Sequence, residues 1–156
     1  MNKTKILDLL TGKSVWEYYQ LYLNTQWFSQ EEMTNYQISK LRKLLQHCYD
    51  NVPYYRKIID ERKIDILNFS SLDILKQFPL LTKEIIQENY KNFTPVNNNI
   101  IKGVKTTQTG GTTGNILFKR NDSNTRSSIW GSYKRYEDWM GLTPSDKKLI
   151  LMGGHV

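Results

Sequence analysis

Between Thr106 and Gly114 the chain places five threonines and three glycines in nine residues, with no charged side chain among them. Glycine lets the backbone adopt positive φ and brings N–H groups to a ligand with no Cβ in the way. Successive N–H groups in such a turn form a concave nest for anions, and threonine hydroxyls add further donors. Thr109, Gly110, Gly111, Thr112, Thr113 and Gly114 are therefore candidate ligands of a polyphosphate. Lys105, Lys119 and Arg120 flank them and could supply charge. The run is not a Walker A loop, because no Lys-Ser or Lys-Thr follows the glycines and the next segment reads as a strand. It also lacks the Gly-x-Gly-x-x-Gly spacing of a dinucleotide fingerprint. A Gly/Thr hairpin turn that binds nothing is the bland alternative, since both residues are common in turns.

Other chemically capable residues are sparse. His155 follows two glycines at Gly153 and Gly154 and is a candidate for a substrate site, against the simpler reading of a solvated histidine. His47 and Cys48 adjoin, which suggests a catalytic thiol, but Cys48 falls on an apolar stripe and reads as a packed core residue. That lone cysteine has no partner in the sequence for a disulfide or a thiolate metal cluster. Trp130 and Trp139 read as core or subunit-contact residues. Trp16, Tyr18, Tyr19 and Tyr22 read as core in preference to an oligomer surface.

The elements that would position the turn follow from periodicity. Up to about Asn92 the pattern is helical. Ser14 precedes an aromatic-rich amphipathic segment. Ser29 with Glu32 has capping-box spacing, and Ile38, Leu41, Leu45, Cys48 and Val52 form a stripe at steps of three and four. Pro53 sits where a further helix would begin, with Tyr54, Tyr55, Ile58 and Ile59 as its apolar face. Short helical segments are expected over Leu72–Phe78 and Lys83–Asn89, capped by Ser71 and Thr82. Asn97, Asn98 and Asn99 mark a turn. Ile100–Thr107 and Ile116–Lys119 then read as strands on either side of the Gly/Thr turn. A helix is expected from Asp122 or Ser123 to Met140, closed by Gly141, with Ile129, Tyr133, Tyr136 and Met140 on its buried side. Leu149–Met152 reads as a buried strand.

With these elements in place, three landmarks carry a resemblance. Thr109-Gly110-Gly111-Thr112-Thr113-Gly114 resembles the phosphate-binding loop of the adenylate-forming superfamily. The stretch from Leu41 to Arg56, with His47 and the ending Asn51-Val52-Pro53-Tyr54-Tyr55, resembles an N-terminal helix of the phenylacetate–CoA ligase branch. Phe78-Pro79-Leu80-Leu81-Thr82-Lys83 is similar to that branch's Pro-x-x-Thr/Ser-Lys segment. The Gly-Gly form of the loop is nearest to the capsular-polysaccharide, CapK-type, members. Two positions depart from the pattern: Ile116 stands where proline is usual, and Asn115 where a lysine or a variable residue sits.

The resemblance implies an α/β enzyme, represented here as α+β by a helical N-terminal segment (1–97) and the start of a nucleotide-binding core (98–156, loop 107–115) with an incomplete sheet. The ribose-holding acid, the adenine-side Tyr-Gly-x-Thr-Glu-like segment and the lysine of the C-terminal lid have no counterpart. The implied reaction joins a small-molecule carboxylate to the α-phosphate of ATP, with Mg2+, releasing pyrophosphate, and then passes the acyl group to a thiol such as coenzyme A or to another acceptor. Thr112 and Thr113 would be the leading hydroxyl donors to the β- and γ-phosphates. The fragment alone would be inactive.

The chain has 22 Lys and Arg against 15 Asp and Glu, a formal charge of +7. This excess favours anionic partners, yet the bases are interleaved with acids and form no stripe of the kind nucleic-acid binders show. No partner nucleic acid is expected. No apolar stretch approaches the ~20 residues of a membrane span, and no secretory signal is recognisable, so a cytoplasmic location is expected. The chain stops next to an apparent core strand, which hints at truncation, and unpaired strand edges would favour instability or homo-oligomers. The competing reading is a complete, non-catalytic module that binds anions or RNA through its basic excess.

Overall fold

The computed structural model describes residues 3–97, 103–108, 118–143, 146, 147 and 149. Those residues are mostly helical, with one small two-stranded antiparallel sheet. The chain divides into two compact units, Trp27–Ser123 and a unit that joins Met1–Gln26 to Asn124–Val156.

In the unit Trp27–Ser123, helix α3 spans Gln30–Asn51, preceded in the chain by α1 (Lys3–Thr11) and α2 (Val15–Thr25). Ser29 caps it: its hydroxyl accepts from the Glu32 amide at 3.2 Å while the Glu32 carboxylate accepts from the Ser29 amide at 2.8 Å. This is the capping box that the Ser29/Glu32 spacing predicts. Helix α4, Pro53–Arg62, starts with proline at its first position, where the missing N–H has no helical partner to lose. A single extended residue, Val52, separates the two helices and is buried.

The core of this unit gathers Leu45 from α3, Ile59 from α4, and Ile64, Ile66 and Ile74 from the segment beyond. Leu41, Tyr49, Ile58, Phe69 and Phe78 pack against it. Ile38, Leu45 and Val52 of the predicted stripe are buried, and Cys48 on the same stripe is half-buried. Two arginines fasten the following chain to the helices: Arg42 donates to the Phe69 carbonyl at 2.8 Å and Arg62 to the Gln77 carbonyl at 2.7 Å. The helical segment expected at Leu72 is a 3-10 turn, Leu72–Gln77, capped by the Ser71 hydroxyl. Helix α5, Lys83–Glu88, is capped by Thr82, which accepts from the Ile85 amide at 3.3 Å.

The sheet is an antiparallel pair, β1 (Lys105–Gln108) and β2 (Phe118–Asn121). They run past the expected ends at Thr107 and Lys119, to Gln108 and Asn121, while Gly103 and Val104 of the expected first strand lie outside β1. Ile100 and Ile116, with which the expected strands begin, lie outside the described residues, as do Asn98 and Asn99 of the expected turn.

In the other unit, α1 (Lys3–Thr11) and α2 (Val15–Thr25) meet at Gly12, whose φ is +63°. Ser14 does not cap α2. The Asp8 carboxylate does so instead, accepting from the Trp16 amide at 2.6 Å, while the Ser14 amide donates to Ser127. Helix α6, Ser123–Trp139, ends as expected at Gly141. The Leu142 amide reaches the Glu137 carbonyl at 3.0 Å and the Gly141 amide the Asp138 carbonyl at 2.9 Å, with Gly141 at φ +70°. That pair of bonds around a left-handed residue is the Schellman closure.

The buried side of α6 is not the expected one. Ile129, Tyr133, Tyr136 and Met140 are exposed, and the residues turned inward are Ser127 and Gly131. The reason is a close helix–helix approach. A Cβ on Gly131 would lie 2.8 Å from Tyr18 Cβ and 2.9 Å from the Tyr19 amide nitrogen, so only glycine fits there. Trp130 and Trp139 are likewise exposed rather than core; the Trp139 indole donates to Gln26 at 3.0 Å and its ring carries Arg135. Trp16, Tyr18, Tyr19 and Tyr22 are half-buried. Leu149, the first residue of the expected terminal strand, is exposed and in no strand, while Ile150–Met152 lie outside the described residues.

Candidate functional site

Gln108 pairs with Phe118, so the chain leaves β1 and re-enters β2 at one end of the hairpin. The predicted ligands Thr109, Gly110, Gly111, Thr112, Thr113 and Gly114 fall in that connection and lie outside the described residues, as does His155. The hairpin itself is the platform from which the connection springs.

Its register sorts the flanking charges. Lys105 opposes Asn121 and Thr107 opposes Lys119, which sets these four residues on one face. Thr106, Arg120, Gln108 and Phe118 share the other. Lys105 and Lys119 are thus diagonal neighbours beside the Thr107 hydroxyl, and all three side chains are exposed. Two ammonium groups and a hydroxyl form a donor set suited to an anion, with Thr107 and Lys119 next to the connection and Lys105 at the far end of the pair. Arg120 is directed elsewhere. Its guanidinium donates to Thr94 Oγ1 at 3.1 Å and lies 5.3 Å from the centre of the Tyr90 ring.

The segment that receives Arg120 is tied in turn to the junction of α3 and α4. The Tyr54 amide donates to the Asn92 carbonyl at 3.1 Å, and the Val96 amide to the Asn51 carbonyl at 2.9 Å. The rings of Tyr54 and Phe93 stack with centroids 4.1 Å apart. Asn51-Val52-Pro53-Tyr54-Tyr55 therefore has a structural task, holding the stretch on which the hairpin leans. Sequence reasoning missed the link from Arg120 to Tyr90 and Thr94, because nothing in local pattern pairs residues 26 positions apart.

The remaining candidates resolve simply. Burial pushes the Cys48 thiol pKa up, which works against the thiolate a nucleophile needs. His47 lies against Asn51, whose amide donates to the His47 carbonyl at 3.0 Å. Among the described residues no group of three or more His, Cys, Asp or Glu side chains could hold a metal ion, and no helix is long and apolar enough to cross a membrane. A cleft of 370 Å3 in the terminal unit is lined by Leu7, Thr11, Trp130 and Tyr133 among others.

No protein-family model matches the chain. Curated proteins do. Over 62 residues the chain is 36% identical to phenylacetate-coenzyme A ligase of Aromatoleum evansii, a stretch that is 40% of this chain and 14% of that enzyme. The same figures hold for the Escherichia coli K12 phenylacetate-coenzyme A ligase. The Pseudomonas putida enzyme of that name is 27% identical over 103 residues, 65% of this chain and 24% of its own length. The matched stretches thus span from 14% to 24% of these relatives. By these matches the chain is phenylacetate–coenzyme A ligase-like, similar to the N-terminal portion of that kind of adenylate-forming enzyme.

Proposed function

We propose that the chain is the phosphate-gripping front part of an ATP-dependent ligase that activates a small carboxylate as its acyl-adenylate. What carries the reading is the hairpin: a Gly/Thr connection between strands that bear Lys105, Lys119 and Thr107 on one face. The ligase names of the relatives support it.

ATP supplies the adenylyl group and pyrophosphate as leaving group. This chain's residues would contribute positioning and charge neutralisation, which supply most of the rate in such phosphate chemistry. Gly110, Gly111 and Gly114 give backbone N–H access to the β- and γ-phosphates, and Thr112 and Thr113 donate hydroxyl hydrogen bonds. Lys105 and Lys119 raise the local concentration of the polyanion. Mg2+ would supply further charge neutralisation to the polyphosphate that these residues hold. Carboxylate attack on the α-phosphorus breaks its bond to the pyrophosphate oxygen, so the negative charge that develops falls on the group the turn holds. The acyl acceptor would be a thiol, coenzyme A being the one named in the relatives, with a CapK-type role in capsular polysaccharide assembly as the finer alternative. Such an enzyme would work in the cytoplasm, and nucleic acid is not among its expected partners.

The test is MgATP or magnesium pyrophosphate binding by calorimetry. Changing Thr112 and Thr113 to Val and Gly111 to Leu removes two hydroxyl donors and blocks the backbone approach, and should weaken binding at least ~10-fold at about 1 kcal/mol per hydrogen bond. Unchanged affinity in that triple variant sinks the assignment. Steeply salt-dependent binding of random RNA, with no preference for the triphosphate, would favour the non-catalytic module instead.

A further inference from the structure

A two-stranded hairpin of four residues per strand, exposed on both faces, is at best marginally stable in water by itself. Whatever its tip binds can be held in a defined place only if the hairpin is anchored. The observations supply an anchor. Arg120, in the middle of β2 and opposite Thr106, projects from the face opposite Lys105 and Lys119. Its guanidinium both donates to Thr94 Oγ1 and lies over the Tyr90 ring. Thr94 Oγ1 is itself oriented by donating to the Tyr90 carbonyl at 3.2 Å. The 89–96 stretch is then locked to α3 and α4 by the Tyr54–Asn92 and Val96–Asn51 bonds and by the Tyr54–Phe93 stack.

We propose that Arg120 is a positioning residue, clamping the hairpin to the Tyr90–Thr94 segment and so setting where the phosphate-binding turn is presented. This rests on the reading of Thr109–Gly114 as that turn. The cation acts through an aromatic face and a hydroxyl, so its charge is spent on holding the hairpin and not on the nucleotide. Lys105 and Lys119 on the opposite face are the ones left to meet the phosphates. The arrangement also gives the Asn51–Tyr55 motif a consequence at a distance, since loosening that junction loosens the stretch that receives Arg120.

The experiment uses two readouts on the whole chain: amide-hydrogen exchange at β1 and β2, and MgATP affinity as a function of salt. Arg120→Ala and Tyr90→Leu should each lower hairpin protection about tenfold, with exchange in α3 unchanged as the control for folding. MgATP affinity should fall by a similar factor in both. Because Tyr90→Leu removes no charge, its salt dependence should match the parent's, and Tyr90→Phe, which keeps the ring, should restore both readouts. Unchanged hairpin protection in Arg120→Ala and Tyr90→Leu overturns the clamp, whatever the nucleotide does. An affinity loss confined to Arg120→Ala, with a shallower salt slope, also overturns it by making Arg120 a direct phosphate ligand. Lost protection in a chain whose parent binds no MgATP would keep the clamp and reject the nucleotide reading.

Discussion

Partial burial pushes the Tyr19 hydroxyl pKa up to about 12, helped by its hydrogen bond to the Asp138 carboxylate and by that group's negative charge. All three effects favour the neutral phenol. In the unfolded chain the group returns to its ordinary value of about 10. The stability it contributes is therefore fully present below pH ~10 and is lost as pH rises to about 12. Ultraviolet titration of the folded chain should show a late ionisation near pH 12, and Tyr19→Phe should abolish that step. A late step that survives in Tyr19→Phe would refute the assignment. At this scale the sequence was informative where a residue's role is set by its own stripe, as with Cys48 on the apolar face of α3. It was silent on Arg120, which read as a spare charge beside the turn, because a cation's partner depends on which face of a strand it occupies.

Helix boundaries were legible because they are written in local chemistry. Ser29 with Glu32, Ser71, Thr82, Pro53 and Gly141 all act as the caps and starts their types suggest. The inward face of α6 was not legible. Hydrophobic periodicity finds apolar stripes, yet α6 packs through Ser127 and Gly131, where the gain comes from close backbone approach. The strands were found but their ends were not, β2 running on to Asn121, since β-branched residues mark extended preference without marking where pairing stops. Gly131→Ala tests the packing account. In an exposed helix interior the change would stabilise by about 1 kcal/mol. Here the new methyl meets the backbone nitrogen of Tyr19 at 2.9 Å, and overpacking of this kind costs about 1–3 kcal/mol. The expected result is a net loss of about 1 kcal/mol in urea unfolding of the unit formed by α1, α2 and α6. A gain would mean that α2 and α6 part more easily than the geometry implies.

At the scale of the molecule, gripping a polyphosphate and turning it over are separable tasks. The matches cover from 14% to 24% of the related ligases. The expected behaviour is retention of MgATP without carboxylate-dependent exchange of labelled pyrophosphate into ATP. Measurable exchange by this polypeptide alone would overturn that expectation. The outward-facing indoles have a practical corollary for all such measurements. Trp27, Trp130 and Trp139 are 82%, 54% and 61% exposed, leaving Trp16 as the one half-buried tryptophan. Native emission should therefore already sit near the wavelength of free indole in water, and iodide should quench most of it. Denaturation will move that spectrum little, so circular dichroism is the better monitor of folding. A blue shift on mixing with another molecule would instead report cover over those indoles.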